Sequence, residues 1–337
     1  ASPGIGAPSP GLLLLLSLLL LVAPGCEKAG HTGTGSEPAT EGKTGTESQQ
    51  RAAKRSGAAQ PGAAPEKPRP VYLAKVGFAK PESALHDPRA DVYLVSNING
   101  RLLDDDDNGF ISRVDPRGEL IQRKWIDGEK PGVKLNAPKG MAISGDSLYV
   151  ADIDTVRIFD RQNGKPLRSV KVRSATFLND VAVGPDGTVY VSDTGFKQWQ
   201  VGFMPSGTDA VYRIEGKKAV PVIKSSRLGL PTGLHADERG VWVATRSGEL
   251  FLASPAGNKE MAQKLPRATL AGIVKTNDGD LLISSWDGKC IYRRKKDGAF
   301  EEIVDRVTSP AGIGYDAKRN RLLIPLLTRN ILAIHPL

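Results

Sequence analysis

The run Asp104–Asp107, followed by Asn108 and Gly109, is the densest group of oxygen donors in the chain. Asp104, Asp106, Asn108 and Gly109 fit the start of a calcium loop, in which alternate oxygens wrap the ion and a glycine permits the sharp turn. Phe110 would offer its carbonyl, and Asp115 falls at the twelfth position, where a bidentate Glu is usual. The stretch "FISRV" reads as a strand, so an ion here would sit in a β-loop and not between helices. The same charges also suit a solvated acidic loop tip that needs no ion.

Other reactive side chains are thinly spread. Cys290 lies in the alternating stretch "KCIYRR" and reads as a half-buried filler of a strand. His86 falls in the turn "HDPRAD" and is expected to be solvated, whereas His235, inside an apolar strand, is expected to pack between sheets. No Ser-His-Asp or Cys-His arrangement can be assembled from these positions.

The elements that position these residues repeat. "PESALHDPRADVYLVSN", "APKGMAISGDSLYVAD", "LNDVAVGPDGTVYVSD", "PTGLHADERGVWVAT", "LAGIVKTNDGDLLISS" and "PAGIGYDAKRNRLLIP" share one design: a short apolar strand, a Gly/Asp/Asn turn and a second apolar strand. Further strand-like pieces such as "TVRIFD" and "ELFLASP" follow each unit, and no helical periodicity interrupts them. Six units, most of them about 40 residues apart, predict an all-β, six-bladed propeller with four strands per blade over residues 71–337. The last unit runs out of residues, so "VYLAKVGFA" (71–79) is expected to supply its outer strand and close the ring.

In such a wheel the starts of innermost strands and the ends of second strands share one rim. That rim would carry Glu82, Lys139, Asn179 and Thr232, with Asn97, Asp152, Asp193, Arg246 and Trp286. Both insertions, "INGRLLDDDDNG" and "TGFKQWQVGFMPSGTD", leave from the same rim, which marks it as the binding face. The second insertion, with Phe196, Trp199 and Phe203, is expected to act as a lid or partner surface. Lys139, Thr232, Asp152, Asp193, Arg246 and Trp286 are the expected ligand-binding residues. Asp152 and Asp193 alternatively cap strand ends.

On "PESALHDP", "LNDVAVGPDGTVYVSD" and "PTGLHADERGVWVAT", the chain from about residue 80 onward resembles the senescence marker protein and gluconolactonase family, the regucalcin-like six-bladed propellers. The resemblance implies a divalent metal at the tunnel mouth, held by Glu82 and Asn179, and lactone hydrolysis by an aspartate that is also a metal ligand. Thr232 stands where that aspartate belongs, and Pro138 or Lys139 where a substrate-binding asparagine belongs. A threonine hydroxyl is no general base near neutral pH, so the familiar lactonase chemistry is not expected. Lys139 is placed to pair with Glu82 across the mouth. A shifted metal site using Asp152 or Asp193, with calcium as the candidate ion, is the alternative that keeps a hydrolase in view.

The ends set the location. Leu12–Val22 is an apolar run too short to span a bilayer, and it leads into "VAPGC". This resembles a lipoprotein signal over residues 1–26 with Cys26 as the acylated residue, giving an exported, periplasmic or cell-surface protein anchored to a membrane. Residues 27–70 lack aromatic side chains and carry almost nothing aliphatic beyond Ala, so they read as a disordered tether. The formal net charge of +9 is spread along the chain; its densest cluster, Arg293–Lys296, has no aromatic platform, so a lipid surface is expected as partner and nucleic acid is not. The expected molecule is therefore a monomeric, membrane-tethered propeller that binds a small-molecule or envelope ligand. A metal-dependent hydrolase and a protein-interaction scaffold stand as the alternatives.

Overall fold

The computed structural model describes residues 69–200 and 202–337, so Cys26 and almost all of the expected tether (27–70) lie outside the described residues. Six four-stranded antiparallel sheets follow one another along the chain. Blade one is Pro81–Asp87, Val92–Asn97, Phe110–Val114 and Leu120–Asp127, and the next four blades begin at Pro138, Leu178, Pro231 and Leu270. Blade six comprises Gly314–Asp316, Arg321–Leu326 and Ile331–Pro336, and its fourth strand is Val71–Leu73 from the other end of the chain. The ring closes as the repeat predicts, with the innermost strand of each blade touching those of its two neighbours. A parallel bridge between Ser83 and Gly312 joins first blade to last.

Side-chain alternation builds the core. Successive residues of a strand point to opposite faces of its sheet. In Val92–Asn97, Tyr93 and Val95 therefore pack toward blade six, while Val92 and Leu94 pack toward blade two. Every gap between neighbouring blades holds one such cluster, for example Val156, Ile158, Val189 and Val191 between blades two and three. This two-sided burial accounts for second strands that read as nearly continuous apolar runs. It also corrects the reading of His86. The ring is only 8 % exposed, because its position on the innermost strand faces blade six, where Nδ1 lies 3.5 Å from Asp316 Oδ1 and Nε2 lies 3.2 Å from Asp91 Oδ1. His235 is partly buried beside blade five, and burial pushes its pKa down to about 4. Cys290 is a fully buried free thiol.

The innermost strands start irregularly. Each of the first five loses register with its partner within its first residues, and the third position of the unit is Ser83, Gly140, Asp180, Gly233, Gly272 or Gly312. A Cβ at Gly233 would lie 2.2 Å from the Ala271 carbonyl, and one at Gly272 2.4 Å from the Ile313 nitrogen. The ring is too tight here for a side chain pointing along the circumference. Asp180 is the charged exception, and its neighbour Gly140 makes the room: a Cβ at Gly140 would meet Asp180 Oδ1 at 2.2 Å.

Candidate functional site at the tunnel mouth

Glu82, Lys139 and Asp180 bring three charged groups to the start of the innermost strands of blades one, two and three. Glu82 is partly buried, and its Oε2 is a buried atom with no hydrogen-bond partner. Burial raises its pKa well above the usual carboxylate range; the Lys139 ammonium opposes this and Asp180 adds to it. Lys139 is 1 % exposed, and burial lowers its pKa to about 8 against the attraction of Asp152 and Glu82. Its ammonium donates to the Ala137 carbonyl at 3.0 Å and lies 4.6 Å from the Phe177 ring centroid. Glu82 and Lys139 thus act on one another through space without forming the contact ion pair expected of them.

Asp180 was not legible as a site residue, because the column of anchor residues runs through Asn179, one position earlier. The signal was present: every other unit has Gly or Ser where this one has Asp. Its carboxylate accepts the backbone N–H groups of Leu234 and Val181, both at 2.8 Å, and burial raises its pKa to about 7 against these bonds. The Asn179 amide donates to Thr194 Oγ1 at 3.1 Å.

The other expected ligand residues divide into two groups. Asp152 and Asp193 are completely buried and hold the rim together. Asp152 accepts from Ala137 N at 2.8 Å and pairs with Arg157 Nε at 2.9 Å. Asp193 accepts from Phe177 N at 2.9 Å and Gly195 N at 3.0 Å. Each caps the segment entering its own blade's innermost strand, as Asn97 does by accepting from Ala79 N. Thr232 is also committed to the frame, its hydroxyl placed to donate to the carbonyls of Ala244 and Leu270. Arg246 and Trp286 remain partly exposed at the rim.

The two insertions differ in build. The acidic loop is fastened to the segment entering blade two: Gly109 N donates to the Leu135 carbonyl, Asp107 N donates to Asn136 Oδ1, and Lys134 pairs with Asp107. Asp106 accepts from the Asn108 amide, and Asp104 faces Arg101 at 4.0 Å. Asp115 lies beyond the far end of the intervening strand, where it binds Arg117 and the Glu119 nitrogen, so it does not complete a twelve-residue loop. The second insertion folds into a hairpin, Phe196–Gln198 with Phe203–Pro205. Its two phenylalanines pack edge-on against Phe177, with centroids 5.7 and 6.2 Å away, and the Arg246 guanidinium lies 5.2 Å from the Phe196 ring centroid. An aromatic trio thus connects the cation of blade two to that of blade four.

The residues present fit a divalent metal poorly. Hard cations want several anionic oxygens, but here the buried Lys139 ammonium already acts on Glu82. Among the described residues no three Asp, Glu, His or Cys side chains are grouped so as to hold a metal ion.

No protein-family model matches the chain, and no curated protein is similar to it in sequence. Solved structures share its fold. A gluconolactonase from Xanthomonas campestris is 18 % identical with a TM-score of 0.60, over 79 % of this chain and 89 % of that one. An inactive virginiamycin B lyase from Staphylococcus aureus, solved with quinupristin, is 14 % identical with a TM-score of 0.53, over 80 % and 99 %. The WD40 propeller domain of Doa1 is 12 % identical with a TM-score of 0.54, over 75 % and 77 %. At these identities the likeness is one of architecture: the chain has a gluconolactonase-like propeller fold.

Proposed function

We propose that this propeller is an envelope protein that binds a small ligand at the tunnel mouth without metal-dependent hydrolysis. The observation that carries the reading is Lys139: a buried ammonium facing Glu82 does electrostatically what a bound cation would do there. Export, acylation at Cys26 and a tethered propeller complete the reading, supported by the apolar run ending in "VAPGC" and by the basic net charge. The test is hydrolysis of gluconolactone in the presence of manganese, calcium or zinc. No metal-dependent turnover is expected; turnover that disappears in Glu82→Gln overturns the reading.

One observation favours a second reading, a hydrolase-like enzyme with a rearranged site. Asp180 titrates at about 7, where a general acid or base works best, and it shares the channel with Glu82. Metal-independent turnover of a lactone or ester that falls at least a hundredfold in Asp180→Asn would establish it.

A further inference from the structure

The seam between blades four and five carries an unused recognition group. Arg246 and Trp286 are the first residues after the second strands of these blades, so they occupy equivalent places on the rim. Thr269 lies between them: its N–H donates to the Arg246 carbonyl at 2.8 Å, and its carbonyl accepts from Trp286 N at 3.0 Å. The two side chains are therefore mounted on a common backbone link. Arg246 is set deep enough for desolvation to lower its pKa. Among the described residues its guanidinium has no hydrogen-bond or ion-pair partner. Asp287 is the acid that acts on it, yet Asp287 is exposed, accepts from the Thr269 hydroxyl at 2.9 Å and makes no ion pair with the arginine.

The guanidinium has an aromatic neighbour. Phe196 takes a ring contact at 5.2 Å, and no hydrogen bond or ion pair among the described residues occupies the guanidinium N–H donors. Two parallel donors at the edge of a planar cation match the two oxygens of a carboxylate. Trp286, joined to Arg246 by the Thr269 backbone link, is partly exposed, and no ring stacks on it among the described residues. The rest of the same rim column offers no charge: Ile98 and Thr194 are completely buried, and Ile153 and Leu327 are partly exposed aliphatic residues.

We infer that the blade-four–blade-five seam is a binding site for a small organic carboxylate, its carboxylate held by Arg246 and its flat apolar body laid against Trp286. This site rests on the reading of the mouth as a ligand-binding surface and adds the chemical class of the ligand. It needs no metal and no covalent step.

Calorimetry on the intact protein with benzoate and its uncharged analogue benzamide tests it. Benzoate is expected to bind at least tenfold more tightly than benzamide and to weaken as salt rises from 20 to about 200 mM, as a charge-dependent contact must. Arg246→Met is expected to lose at least tenfold in benzoate affinity, with Arg246→Lys intermediate because a point charge cannot bind both oxygens. Trp286→Leu is expected to weaken both compounds alike. Equal affinity for the two compounds, an unchanged affinity in Arg246→Met, or no heat at tens of millimolar benzoate overturns the site. Should Arg246→Met fail to fold, the comparison of the two compounds on the unaltered protein decides alone. Metal-dependent lactone turnover in the same preparation would instead overturn the non-hydrolytic reading and leave the carboxylate site standing.

Discussion

The two halves of the ring solve the same geometric problem with different residues. In blades four to six the second and third positions of the repeat unit are Thr232-Gly233, Ala271-Gly272 and Ala311-Gly312. In blades one to three the same positions are Glu82-Ser83, Lys139-Gly140 and Asn179-Asp180, and both insertions spring from this half. The neutral half shows what the fold alone requires, which is a small residue, a hydroxyl or a glycine where neighbouring strands converge. Charge in the other half goes beyond that requirement. It costs desolvation, as the shifted Glu82, Lys139 and Asp180 record, so it marks the half of the ring where the molecule departs from its own repeat.

The largest loss is expected where a side chain is forced into the neutral half. Gly233→Ala puts a methyl where only 2.2 Å separates it from a backbone carbonyl, and it is expected to cost about 3 kcal/mol in urea unfolding. A loss below about 1 kcal/mol would mean the ring can relax and the glycine column is not structural. Next comes Asp152→Ala, which strips the Ala137 N–H of its acceptor and leaves Arg157 without its carboxylate. About 2 kcal/mol is expected, with affinity for benzoate at the distant Arg246 seam unchanged. If affinity falls while stability holds, Asp152 belongs to the binding surface after all.

Much of the architecture was legible because a propeller repeats its local chemistry. Strand, turn and strand recur with the same punctuation, and the missing fourth strand of blade six pointed to residues near Val71. The anchor column found Glu82 and Lys139 for the same reason. What remained hidden depends on contacts between blades. His86 looked solvated because Asp316, 230 residues later, belongs to the facing blade. Asp180 looked like a strand residue because its partner, the Leu234 nitrogen, comes from blade four. For Asp152 and Asp193 the residues offered both ligand binding and capping, and only the fold shows them accepting backbone N–H groups, with Asp193 Oδ2 left unpartnered; the commitment of Thr232 to two backbone carbonyls was not foreseen. The hairpin lay within an expected lid, but its packing on Phe177 follows only from the folded register.

Asp180 offers a subtler contrast, read as a pH slope. Its pKa rises from the ordinary aspartate value to about 7 on folding. The stability this contributes is complete below about pH 4 and is lost as pH rises through 7, because the unfolded chain releases the proton first. The difference in melting temperature between the unaltered protein and Asp180→Asn should therefore shrink, or reverse in favour of the variant, between pH 4 and 7. Taking the difference cancels the carboxylates with the opposite slope, such as Asp87 and Asp316, whose lowered pKa values favour the fold above the acid range. A difference that is flat with pH would show that Asp180 is ionised in the fold, and the charged half would then carry an uncompensated anion.

The smallest effect is expected at the hairpin tip. Trp199 is 58 % exposed, while Phe196 and Phe203, closer to the body, make the ring contacts with Phe177. If the hairpin is held by its phenylalanines, Trp199→Ser should change stability by no more than about 0.5 kcal/mol, the range of ordinary surface substitutions. Phe203→Ala should cost more, since it removes an aromatic contact and opens space beside Phe177. Thermal melts of the two variants rank them directly. A larger loss at Trp199 would place the anchor of the hairpin at its tip, on a contact made beyond the aromatic trio.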